Sequence, residues 1–153
     1  MDIKYINSFI NGFLNVTEMM GISGLQRTGL SKKAKLRTDN DINIIIGLVG
    51  DIRGNVVLAM HEATACKIAS TMMGGMPVEK FDAMPRSALS ELANMMAGNS
   101  ASQLEGLGVK TNITPPTLIH GQKMISLISQ VETIVVTFNG NEGQIEINIA
   151  TED

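Results

Sequence analysis

Apolar residues recur every three to four positions from the start of the chain. Ile3, Ile6, Ile10, Phe13 and Met20 mark one face, and Gly21 follows as a natural stop. The pattern predicts a helix from about Ile3 to Met20. A strand is predicted near Gly29 to Thr38. Ile42–Leu48 and Asn55–Met60 then read as two strands joined across Gly50-Asp51-Ile52-Arg53-Gly54, a hairpin signal. His61 to Met73 reads as a second helix closed by Gly74-Gly75, and a loop with Pro77 follows. A long third helix is predicted from about Pro85 to Leu107, because proline fits the first turn, where its missing N–H had no partner. Gly108 ends it. Val109–Ile113 is a strand cut off by Pro115-Pro116. Thr133–Phe138 and Gln144–Ile149 form a closing hairpin around Asn139-Gly140-Asn141-Glu142-Gly143.

This order repeats. Helix, Gly21-Ile22, strand and hairpin in the first half match helix, Gly108-Val109, strand and hairpin in the second. Ile44-Ile45-Ile46 with Gly50 corresponds to Ile134-Val135-Val136 with Gly140. Such spacing suggests two related halves. The predicted fold class is α/β (α+β). It is one domain over residues 1–153, with a mainly antiparallel sheet of about six strands, three helices and pseudo-two-fold halves.

Length agrees with one domain, since 153 residues can bury a substantial core. A net charge of -3 leaves no basic footprint for nucleic acid. The short cluster Lys32, Lys33, Lys35 and Arg37 is spaced like a solvated strand edge. No stretch approaches the run of about 20 apolar residues that a membrane span needs. The N-terminus is too often polar for a signal peptide. With a single cysteine, Cys66, no internal disulfide can form, which fits a reducing compartment. The chain therefore reads as cytoplasmic, with neither nucleic acid nor membrane as a partner. Eleven methionines stand against four Phe, one Tyr and no Trp, so stacking on bases is disfavoured. Met72, Met73, Met95 and Met96 read as core packing rather than a Met-lined binding face.

Several kinds of chemistry are missing. No Walker-type loop or dinucleotide fingerprint is present. Cys66 and two distant histidines, His61 and His120, give no metal-ligand spacing and read as structural. What remains is the third helix. Ser87, Glu91, Asn94 and Gly98 fall on one stripe at spacings of three and four. Leu89, Leu92, Ala93, Met96 and Leu104 fall on the core-facing side. Solvated surface is the commoner meaning of such a polar face. An acid beside an amide can also be a site, because a carboxamide donates and accepts hydrogen bonds at once and can orient a water. Chemistry that needs mainly an aligned water is phosphoryl hydrolysis. A chain without its own metal or phosphate cradle would need a partner to supply both.

Glu91-Leu-Ala-Asn94-Met-Met-Ala-Gly98-Asn99 resembles the Glu-x-x-Asn-x-x-x-Gly-Asn signature of the CheX branch of the CheC/CheX/FliY chemotaxis phosphatases. Ser87 fits that family's Asp/Ser-x-x-x-Glu-x-x-Asn pattern, and Pro116 stands slightly short of its downstream proline. The similarity extends through Met72-Met73-Gly74-Gly75 and the element order, over most of the chain. The resemblance implies a phosphatase acting on a phosphorylated CheY-like receiver domain. Asn94 would orient the attacking water, and Glu91 would pair with the receiver's lysine. Ser87, Glu91 and Gly98 would bind the partner, Gly98 by letting it approach closely, while Asn99 would support local structure. The protein would hold no metal or cofactor of its own, and the Mg²⁺ would belong to the receiver. Lys4 and Asn7 stand where a second site would carry its acid and amide, which matches a one-site CheX type. A homodimer paired through its sheets is implied as well. Two other readings stay open: a non-catalytic module of the same fold in a signalling or flagellar-switch assembly, and a phosphatase for a regulator outside chemotaxis.

Overall fold

The computed structural model describes residues 2–121 and 126–152, the segments 37–38 and 126–129 as backbone only. Among these residues it has three helices and nine strands. They run α1 (Ile3–Met19), β1 (Gln26–Lys33), β2 (Leu36–Thr38), β3 (Ile42–Gly50), β4 (Arg53–Met60), α2 (Glu62–Met72), α3 (Ala83–Gly106), β5 (Thr111–Ile113), β6 (Thr117–His120), β7 (Ser126–Ser129), β8 (Thr133–Gly140) and β9 (Gly143–Glu152). The main sheet has seven strands, ordered β1-β8-β9-β4-β3 with β5 and β6 both on the far side of β3. Every pairing in it is antiparallel. β2 and β7 form a separate two-stranded sheet.

The strand order shows how the two halves are related. β4 and β9 pair at the centre, flanked by β3 and β8. Beyond them the edges are exchanged: β1 of the first half pairs with β8 of the second, and β5 and β6 of the second pair with β3 of the first. The halves are thus pseudo-two-fold mates that share one sheet. The helix ends give the register. Gly21 and Gly108 both have positive φ, 79° and 82°, conformations that suit glycine. Ile22 N–H bonds to Thr17 O at 2.9 Å, and Val109 N–H bonds to Leu104 O at 3.0 Å. These matching closures set Gly21 over Gly108, and so Lys4 and Asn7 over Glu91 and Asn94.

The helices cover one face of the sheet. Phe13, Phe138, Ile44, Ile46, Leu58, Leu89, Leu92 and Ile147 lie in one buried cluster. Phe13 and Phe138 fix α1 to β8 with ring centroids 5.0 Å apart. Leu36, Val57 and Ala150 form a small second cluster. α1 meets α3 at Gly12, where an added Cβ would stand 2.8 Å from the Ser100 backbone nitrogen. Only a residue without a side chain permits that approach. Among the methionines, Met96 is buried and Met72, Met73 and Met95 pack against the core. Packing, not a methionine face, is their role.

Several strands depart from the sequence reading. β1 starts at Gln26 rather than Gly29, and the predicted strand is split between Lys33 and Leu36. Its first three residues are exposed, so no alternation marked them, and a register shift lies between Arg27 and Gly29. Arg37's side chain lies outside the described residues, whereas Lys32 sits exposed on an edge strand as expected. The Val109–Ile113 strand is confined to Thr111–Ile113. β6 and β7 were not predicted. β5 and β6 are two pieces of one edge, both antiparallel to β3, broken at Thr114-Pro115-Pro116. Proline cannot donate to a ladder, and an edge is where sheets tolerate it. At the break, the Thr114 hydroxyl accepts the Gly47 N–H at 2.8 Å, and Thr114 N–H returns a bond to Gly47 O at 2.9 Å.

Candidate active site

α3 carries the candidate residues because its sequence holds it against the core by one face. Pro85 is in the first turn, and Leu89, Leu92, Ala93, Met96, Ala97, Ser100 and Leu104 are buried at spacings of three and four. Burying a single leucine side chain contributes about 1.5–3 kcal/mol, so this apolar stripe fixes the helix's rotation. The opposite face is thereby presented outward. Ser87 and Glu91 are exposed there, and Ser90, Asn94 and Gly98 are half-buried.

An open groove of about 620 Å³ runs along this face, lined by Ala83, Arg86, Ser87, Ser90, Glu91, Asn94, Pro116 and Leu118. α3 forms one wall, and the broken edge formed by Pro116 and β6 forms the other. Ser87, Glu91 and Asn94 are brought together in it, and Pro116 faces them. Gly98 continues the same stripe one turn on and is not among the lining residues. Arg86 and Ser90 escaped the sequence reading. They lie eight and four positions before Asn94, so extending that stripe backwards would have found them. Leu118 had no such signal, because β6 was not predicted.

Among the described residues, neither the Glu91 carboxylate nor the Asn94 carboxamide makes a hydrogen bond or ion pair within the chain. Asn99 differs. Its Oδ1 accepts from Asn15 Nδ2 at 3.2 Å and from Gln103 Nε2 at 3.1 Å, which ties α1 to α3. Asn99 is therefore a structural residue. A cleft with an acid and an amide that bind nothing internally can accept a ligand's hydrogen bonds without breaking its own.

At Gly98 an added Cβ would meet nothing within 4 Å. Inside a helix, glycine is about 1 kcal/mol worse than alanine, and here no internal crowding demands it.

Elsewhere both histidines and the cysteine have structural surroundings. His120 Nε2 lies 2.6 Å from Glu62 Oε1, and its ring stands edge-on to Phe81. His61 precedes α2, with Nδ1 3.8 Å from Asp41 Oδ2. Burial, then the nearby Glu62 and Asp82 carboxylates, push the Cys66 thiol up from its ordinary range, which makes it a poor nucleophile. Among the described residues no group of His, Cys, Asp and Glu could hold a metal, and no helix is long and apolar enough to cross a membrane.

Residues 42–139, which include the whole acid–amide stripe, match the family model described as "Chemotaxis phosphatase CheX". The chain belongs to the CheX family. It is 34% identical over 126 residues to "CheY-P phosphatase CheX" of Thermotoga maritima, which spans 81% of this chain and 80% of that one. A CheC-like superfamily protein from Shewanella sp. PV-4 superposes with a TM-score of 0.89 at 25% identity, over 100% of both chains. A CheX–CheY–BeF3–Mg²⁺ complex from Borrelia burgdorferi matches with a TM-score of 0.83 at 28% identity, covering 97% of this chain and 98% of that one. Family membership agrees with the resemblance carried by Glu91, Asn94, Gly98 and Asn99.

Proposed function

We propose that this protein dephosphorylates a phosphorylated CheY-like receiver domain in bacterial chemotaxis signalling, and that Asn94 and Glu91 carry the activity. The observation that carries this reading is the outward-facing pair itself: an acid and an amide on one face of α3, in an open groove, with no partner inside the chain. The Borrelia burgdorferi complex supports the choice of partner, since there a CheX-family chain sits with CheY.

In this reading the receiver docks on the Ser87–Gly98 face and brings its phospho-aspartate, its Mg²⁺ and its lysine. The Asn94 amide enters the receiver's site. Its oxygen accepts a hydrogen bond from water and its NH₂ donates one, so a lone pair of that water points at phosphorus. The water oxygen bonds to phosphorus, the bond from phosphorus to the aspartyl oxygen breaks with its electron pair staying on the aspartate as carboxylate, and the phosphoryl group leaves as inorganic phosphate carrying the water's protons. Positioning dominates such chemistry because the transition state asks for little else from the protein. Glu91 pairs with the receiver's lysine and holds the complex in register. Ser87 borders the contact, and Gly98 leaves room for the partner's backbone. The protein supplies no cofactor; the metal is the partner's.

The protein acts as a homodimer in the cytoplasm in this reading. β1 ends the main sheet and leaves Leu30 59% exposed, an edge on which a second copy can pair. Light scattering on the purified protein should then give twice 16.4 kDa; the monomer mass would remove the dimer. Inorganic phosphate release from a panel of phosphorylated receivers tests the activity. No release from any of them, with binding retained, would leave the non-catalytic module. Release only from a receiver outside chemotaxis would reassign the pathway.

A further inference from the structure

The proposed function gives no task to Arg86. Its guanidinium stands near the start of α3, where the helix end carries a partial positive charge, so a cation there is unfavourable by about 0.3–1 kcal/mol. The first turn of α3 has no acid, and Asp82 at the N-cap makes no side-chain cap bond. The charges along this helix face are Asp82 one turn before Arg86 and Glu91 beyond it. Arg86 is in no ion pair or side-chain hydrogen bond among the described residues. It is nonetheless half-buried and lines the groove opposite Pro116 and Leu118. No ion pair or side-chain hydrogen bond within the described residues fixes this charge, yet the groove holds it beside an apolar wall that would exclude water from a docked ligand.

We propose that Arg86 is a specificity-determining residue for the receiver. Resting on the function proposed above, it pairs with a carboxylate on the receiver's surface. Eight residues at the helical rise separate it from Asn94 by about 12 Å along α3. Its target is therefore an acidic residue on the receiver about that far from the phospho-aspartate, outside the reacting centre. Arginine suits the task, since its planar fork binds a carboxylate through two parallel hydrogen bonds. The apolar wall of Pro116 and Leu118 lowers the local dielectric and strengthens the pair. Arg86 would contribute to KM and to the choice among receivers, not to the turnover of bound substrate.

The test uses the full chain and the acetyl-phosphate-phosphorylated receiver that the wild type turns over fastest. Steady-state phosphate release is measured with wild type, Arg86→Lys and Arg86→Glu across a salt series. Reversing the charge at a desolvating rim should raise KM by about ten-fold or more at low salt, while kcat stays within about two-fold and the melting temperature holds or rises. The wild-type KM should climb with salt more steeply than that of Arg86→Glu, because salt screens the Arg86 attraction in the first and the new repulsion in the second, while the Glu91 pair is screened equally in both. Arg86→Lys should fall between them. A receiver whose target acid is changed to lysine should restore KM for Arg86→Glu. An active wild type with an unchanged KM in Arg86→Glu would overturn this assignment alone. No release by the wild type would overturn the underlying reading and this inference with it.

Discussion

Gly98→Ala should stabilise the protein and weaken its function. Gly98 lies in the interior of the 24-residue α3, and a Cβ there meets nothing within 4 Å. Replacing an unstrained interior helical glycine by alanine contributes about 0.8–1 kcal/mol. For a domain near 150 residues, that is a rise of about 2–4 °C in melting temperature. If Gly98 is bare because the receiver's backbone rests on it, the same methyl intrudes into the complex. Overpacking a fitted contact costs about 1–3 kcal/mol, or about 5- to 150-fold in KM or Kd. The two effects have opposite sign, so a thermal melt and steady-state kinetics on one variant separate them. Gly106→Ala serves as the control: its Cβ is also unopposed, and it lies at the far end of the helix. KM should not change there. A lower melting temperature for Gly98→Ala would refute the claim that the fold does not need this glycine. An unchanged KM would refute the claim that the partner does.

Glu91→Ala should raise the dissociation constant for the receiver, since breaking a charge pair in a desolvated contact costs about 2–5 kcal/mol; its melting temperature should not move, and an unaltered Kd would contradict the role. Gly12→Ala should act in the opposite sense to Gly98→Ala. The new Cβ meets Ser100 backbone at 2.8 Å, so chemical denaturation should show a loss of about 1–3 kcal/mol, and a stabilised variant would refute the crossing geometry. Cys66 is held as the thiol by burial and by its acidic neighbours, so alkylation at pH 8 should be slower than for an unhindered small thiol and should accelerate as pH passes the ordinary value of 9.0. Labelling as fast as the small thiol at pH 8 would argue against that environment.

Much of this molecule was legible in its sequence where a single element carries both the signal and the consequence. α3 is the clearest case. Leu89, Leu92, Ala93, Met96 and Leu104 declare a helix and its buried side, which fixes by subtraction the face holding Ser87, Glu91 and Asn94. The duplicated halves were legible from Gly21 and Gly108 for the same reason. The second wall of the groove was not. β6 is four residues long and sits between a proline pair and Gly121, and it becomes a strand only because β3 offers it an edge. That edge belongs to the other half of the sequence, so no local pattern announces it. Arg86 lies on the same stripe, within reach of its backward extension, but a lone arginine on a polar face looks like solvated surface until the groove shows what lies across from it.

Asn94→Ala, assayed beside the wild type on one phosphorylated receiver, tests the central claim most directly. Loss of a water-orienting group should lower turnover by about 100-fold or more, while Kd for the receiver stays close to the wild-type value and the melting temperature is unchanged. Equal phosphate release by the two proteins would contradict the account.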